Sequence, residues 1–189
     1  MSVATQSAGA GTTNATGAEG AAGAAGDAGA AGAAGLKRRP FIDKEHPDVQ
    51  KALVKASTAS RTASQGAGLG DDTIELVNVR VSQINGCLTC LSLHAPRARD
   101  AGITQQQLDV LPAWRDAVTT YTGVQRAALL IAESLTVIDT SQDRDAVVAQ
   151  ASQHLTTEQI AAVEWTAVMI NAFNRVSIAS GHPALSAKG

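Results

Sequence analysis

Between Asp48 and Gly181 the apolar residues recur at helical spacing, and the stretch is cut at intervals by cap and stop signals. Thr104 with Gln107 and Thr122 with Gln125 both carry the capping-box pattern, a hydroxyl answered three residues later by a side-chain amide. A chain punctuated in this way buries its apolar stripes by packing helix on helix. The first expected helix covers Asp48 to Ser57, with Val49, Ala52, Leu53 and Ala56 on one face. Asp71 or Asp72 is expected to cap a second, running through Ile84. That stretch is rich in β-branched residues, but it does not alternate cleanly and reads as helix. The next runs from about Cys87 to Ala101 and stops at Gly102, with Pro96 predicting a kink or a break inside it. A short helix is expected from Thr104 to Leu111, and another turn around Trp114 to Ala117. Longer ones follow from Thr122 to about Leu135 and from Ser141 to His154-Leu155. Thr156 caps the longest, which passes Ile160, Val163, Trp165, Val168, Met169, Ile170 and Phe173 and ends before Gly181 and Pro183. It is apolar nearly all round, which predicts burial in the core or in a subunit interface. The expected fold is a compact, all-α, multi-helix domain.

Residues 1–35 stand apart. They contain no Lys, Arg, Leu, Ile or aromatic residue and only Glu19 and Asp27 as charges. Such a segment buries too little apolar surface to offset its chain entropy, so a disordered tail is expected there and one folded domain over 36–189. It has neither the basic start nor the leucine-rich core of a signal peptide, and it lacks the arginines of a transit peptide. Glu19 and Asp27 also account for the formal charge of −2. The remainder is balanced and has no basic stripe, which argues against nucleic acid or an anionic membrane as partner. No apolar run approaches the ~18 residues of a spanning helix. A cytoplasmic location is the expectation.

The chemistry concentrates at Cys87-Leu-Thr-Cys90 and His94. These are the only two cysteines in the chain. On a helix they share a face with each other, and His94 follows one turn after Cys90. Their spacing suits a local disulfide, which needs Cα atoms about 4.4–6.8 Å apart. Asn85-Gly86 marks a turn just before them, so the pair should open a helix, where the N-terminal field favours thiolate. Position alone nominates Cys87 as nucleophile, being the more terminal and more exposed sulfur. Two blander readings compete. The thiols could be inert and buried, or they could bind zinc with His94, for which Glu75 is the only fourth ligand on offer. By itself His94 could be a satisfied core histidine and Glu75 a solvated residue stabilised by a helix N-terminus. Arg80 and Asn174 suit structural hydrogen bonds, and His46, His154 and His182 carry no assigned role. No flavin, haem or nicotinamide motif is present, so no cofactor and no metal is expected.

Taken together, Glu75, Arg80-Val-Ser-Gln-Ile-Asn-Gly-Cys87-Leu-Thr-Cys90, His94 and Ala98-Arg-Asp-Ala-Gly102 resemble the AhpD-like/carboxymuconolactone decarboxylase family. The similarity extends through Trp114-Arg115 and Arg126-Ala-Ala-Leu-Leu to Ile170-Asn-Ala-Phe-Asn174-Arg, spanning about Ile42 to Ala179. The resemblance implies an AhpD-like all-helical fold and thiol-dependent peroxidase chemistry. In that scheme Cys90 attacks a hydroperoxide, Cys87 resolves the sulfenic acid, and Glu75 and His94 relay protons. It further implies an external dithiol reductant of lipoyl or thioredoxin type and a homo-oligomer, trimer or hexamer. One departure stands out: Thr89 occupies the place where some members carry a second histidine, and a hydroxyl is no base near neutral pH. The decarboxylase branch lacks the cysteine pair, so its reaction is not implied by the motif. Two alternatives remain: a redox-sensing or disulfide-exchange oligomer without turnover, and a decarboxylase or lactone-processing enzyme on the same fold.

Overall fold

The computed structural model describes residues 39–186; the tail expected over 1–35 lies outside them. Among the described residues there are helices and no strands. They are α1 (Ile42–Glu45), α2 (Pro47–Gly66), α3 (Asp71–Asn85), α4 (Leu88–Asp100), α5 (Gln105–Val110), α6 (Gly123–Thr136), α7 (Arg144–Ala151) and α8 (Thr157–Ser180). A 3₁₀ turn, Leu111–Ala113, follows α5 directly.

The centre of the bundle is α3, which packs against α4, α6 and α8. Its β-branched run is what a helix surrounded by others requires: Thr73 through Val79, Val81 and Ser82 are all buried. It divides the interior in two. Ile74, Val77 and Val81 join Ile131, Val163 and Ile170 in one cluster, which also holds both cysteines. On the other side Leu76 and Val79 join Leu111, Trp114 and Leu129. Thr104, Thr122 and Thr156 form the N-caps of α5, α6 and α8, each with a complete capping box.

Four expectations need correction. The N-cap of α3 is Gly70, and Asp71 and Asp72 lie within its first turn. Pro96 neither breaks nor ends α4, which continues to Asp100; Gly102, at φ +97°, closes it as expected. Only the carbonyl of Ser92 loses an intrahelical donor to the proline ring. Ser141 does not begin a helix: its backbone and side chain both bond to Asp139, and Asp143 caps α7 instead, which ends at Ala151.

Lastly, α2 runs to Gly66, well past Ser57. Its second half carries no large apolar residue, because it lies close against α8 through small side chains. Ser64 is fully buried there. Its hydroxyl sits 3.0 Å from the Ser60 carbonyl and 3.1 Å from Thr166 Oγ1. A larger residue has no room at this crossing. Ser64→Leu should therefore destabilise the protein by about 1–3 kcal/mol through overpacking, read as a lower thermal midpoint by circular dichroism. An unchanged midpoint would show that the two helices can part at no cost.

The long helix α8 turns Ile160, Val163, Ala167, Ile170 and Asn174 inward. Its apolar character does not bury it all round, however, since Trp165 is 58% and Val168 44% exposed in the single chain. No helix among the described residues is long and apolar enough to cross a membrane.

Candidate active site

The site is built where α3 ends and α4 begins. Gly86 adopts φ +65° as the C-cap of α3, a conformation that favours glycine. The Cys87 N–H then returns to the Ser82 carbonyl, and Cys87 becomes the N-cap of α4. Asn85 fastens this turn to α8, donating to Asn171 Oδ1 at 2.8 Å and Asn174 Oδ1 at 2.9 Å. Asn174 in turn donates to Ser82 Oγ, so its role is to hold the turn. Arg80 meets Glu133 at 2.6 Å on another part of the bundle.

The turn sets the two sulfurs. Cys87 and Cys90 are paired as a disulfide, with Cα atoms 5.4 Å apart. The Cys90 N–H points at Cys87 Sγ, 3.4 Å away, as an N-cap side chain requires. Position alone favours Cys87 as the more exposed of the pair, but both residues are buried, Cys87 at 1% and Cys90 at 5% exposure. Both cysteines pack in the core cluster beside α3, and of the two only Cys90, one turn further along, also lines a cavity. Ser177 Oγ on α8 lies 3.8 Å from Cys90 Sγ.

That cavity, of about 700 Å³, lies between α2, α4 and α8. Leu93, Met169, Ile170 and Phe173 give it an apolar wall, and its polar lining comes from Thr89, His94 and Arg97 of α4, beside Cys90, and from the second half of α2, Arg61 and Gln65 included. His94 Nδ1 is 2.7 Å from Glu75 Oε2. Glu75 is not solvated; it is 1% exposed. Its other oxygen accepts from Arg61 Nη1 at 2.7 Å, and Arg61 Nη2 reaches Asp71 at 2.9 Å. Burial pushes the Glu75 carboxyl upward, but hydrogen bonds from His94 and Arg61 outweigh it and bring the pKa down to about 2. The carboxylate is thus ionised at neutral pH and accepts the Nδ1 proton of His94.

The structure brings Glu75 and His94 together directly, and places His94 and Cys90 on one wall with Cys87 behind. Thr89 Oγ1 lies 2.8 Å from the His182 carbonyl and 2.9 Å from that of Pro183, so the hydroxyl ties the segment after α8 to the first turn of α4. His182 itself pairs with Asp43. Among the described residues no group of three or more His, Cys, Asp or Glu side chains is placed to hold a metal. Three residues of the site escaped the sequence reading: Arg61, Arg97 and Ser177. Arg61 fell in the half of α2 that was not expected to be helical, and nothing local in the sequence ties it to Glu75.

Residues 47–134, which include Glu75, both cysteines and His94, match the carboxymuconolactone decarboxylase family model. The chain is 36% identical over 114 residues to the uncharacterized protein YdfG of Bacillus subtilis strain 168, an alignment covering 60% of this chain and 77% of that one. The crystal structure of ATU0492 from Agrobacterium tumefaciens is similar at a TM-score of 0.68 and 27% identity, over 79% of this chain and 99% of that chain. ATU0492 is a protein of unknown function for which a role as the antioxidant defence protein AhpD has been suggested.

Proposed function

Because the chain belongs to the carboxymuconolactone decarboxylase family, we propose that it is an AhpD-like thiol peroxidase that reduces hydroperoxides through the Cys87–Cys90 pair. One observation carries the reading: Cys90 opens onto a cavity shared with His94, whose Nδ1 is fixed on a buried, ionised Glu75. In the reduced enzyme the N-terminal field of α4 favours thiolate at both positions. A hydroperoxide entering the cavity meets Cys90. Its thiolate attacks the outer peroxide oxygen, the O–O bond breaks, and the leaving alkoxide takes a proton to depart as alcohol. Cys90 becomes a sulfenic acid. The Cys87 sulfur then attacks Cys90 Sγ, releasing water and forming the disulfide. Hydrogen-bonded to Glu75, His94 takes the Cys90 proton at the start and can return it to the leaving oxygen. A dithiol of lipoyl or thioredoxin type restores both thiols.

Turnover is the test. With dihydrolipoamide or thioredoxin present, the enzyme should consume many equivalents of peroxide per chain. Consumption that stops at one equivalent would instead fit a redox-responsive oligomer, and a decarboxylase or lactone-processing activity that survives replacement of both cysteines would fit an enzyme of that kind.

Assembly is part of the proposal. Trp165 and Val168 present apolar area on α8 that a trimer or hexamer would cover. Light scattering should give the same subunit number for the full chain and for a variant beginning at Leu36, since residues 1–35 hold no large apolar side chain beyond Met1 with which to bind an interface. A monomer would remove the interface. Dissociation on truncation would give the tail a structural role.

A further inference from the structure

We propose that the cavity takes hydroperoxides that carry a carboxylate on an apolar body, and that Arg97 receives the carboxylate. The inference rests on the peroxidase reading for the reacting end of the substrate and adds a recognition site for the other end. No Asp or Glu lines the cavity, while two guanidinium groups, Arg61 and Arg97, do. Arg61 is already committed to Glu75 and Asp71. Arg97 makes no ion pair among the described residues, and Asp100, which shares an adjoining recess with it, stays out of ion-pair reach. Arg61 is thus taken up by Glu75 and Asp71, which leaves Arg97 as the guanidinium at the cavity that no carboxylate among the described residues holds in an ion pair.

Its position supplies a measure. Arg97 follows Cys90 by seven residues on the same face of α4, about 10.5 Å along the helix axis. Leu93 lies between them on that wall, faced across the cavity by Met169, Ile170 and Phe173 of α8. A ligand with its hydroperoxide at Cys90 therefore lays an apolar segment across these residues, and its far end reaches the guanidinium. An arginine fork suits a carboxylate, which it can hold through two parallel hydrogen bonds.

The test compares linoleic acid 9-hydroperoxide with its methyl ester, with dihydrolipoamide as reductant. The wild type should favour the acid by about tenfold in kcat/KM, chiefly through KM, as expected of one charge-assisted contact near solvent. Arg97→Gln should bring the acid-to-ester ratio close to one, and Arg97→Lys should restore part of it. A wild type indifferent to esterification, or an Arg97→Gln variant that keeps the full preference, overturns the assignment. Calorimetric titration of the corresponding hydroxy acid and its methyl ester separates this from the peroxidase reading, because binding needs no turnover. If neither hydroperoxide is consumed, the peroxidase reading fails. The recognition site then stands when the hydroxy acid binds the wild type more tightly than its ester and Arg97→Gln abolishes the difference, and it falls when the two bind alike.

Discussion

Cys90→Ser is expected to abolish peroxide turnover, a loss of about 10³-fold or more, whereas Cys87→Ser should react once and then fail. The asymmetry follows from the cap at the start of α4. Cys87 is the N-cap and does not line the cavity, while Cys90, though packed in the same core cluster, does. A serine hydroxyl at position 90 cannot supply the low-pKa nucleophile that cleaves an O–O bond. With serine at position 87 the first attack survives, but the Cys90 sulfenic acid has no neighbouring thiol to condense with. It should persist, form mixed disulfides with the reductant, or advance to sulfinic acid under excess peroxide. Intact mass after one and after ten equivalents of peroxide distinguishes these fates. The wild type should lose two hydrogen atoms on forming the disulfide and gain no oxygen; Cys87→Ser should gain oxygen atoms; Cys90→Ser should stay unchanged at low dose. If the two variants exchange behaviours, the nucleophile is Cys87 and the cavity is not the route of entry. If both keep turning over, the cysteines are not the site.

How far the sequence led can be seen at these residues. The helices were legible because their ends are marked locally: the hydroxyl and amide of each capping box and the glycines at 86, 102 and 181 lie within a turn of the boundary they set. Where a boundary depends on a distant partner it was not legible. The second half of α2 is helical because its small side chains fit against α8, and no apolar stripe within α2 announces that. The same limit applied to the site. The CxxC spacing and the resemblance brought Cys87, Cys90, His94 and Glu75 into view. Neither could say that of the pair only Cys90 lines the cavity, since that follows from the cap geometry, nor that Arg61 bridges Glu75 and Asp71 across two helices. Thr89 looked like a missing base. Its hydroxyl has instead a role in holding the chain after α8, a partner more than ninety positions away in sequence.

Glu75→Gln should produce the second large effect, on both rate and stability. Glu75 is the group on which His94 depends: a neutral amide no longer favours the Nδ1–H tautomer with a full charge, and His94 becomes a weaker and less oriented base. Peroxide reduction should fall about 10²–10⁴-fold, the usual contribution of a positioned general acid–base group. A merely structural Glu75 would not alter the pH profile of that rate, whereas a relay member should. On stability the sign can be worked out. The Glu75 carboxyl ordinarily titrates at 4.5 and is lowered to about 2 in the fold, since the hydrogen bonds from His94 and Arg61 overcome the cost of burial. A lowered carboxylate pKa stabilises the folded state above the unfolded value, and that stability drains away as pH falls through the folded value. For a shift of this size it amounts to about 3 kcal/mol. The urea midpoints of wild type and Glu75→Gln should therefore differ most at neutral pH, begin to converge below pH 4.5, and lie closest near pH 2. A constant gap across that range would mean that Glu75 is not held as an ion pair, and the tautomer assigned to His94 would lose its support. A falling rate with no stability gap at any pH would point the other way, to a carboxylate that acts in the chemistry without anchoring α2 to α3 and α4.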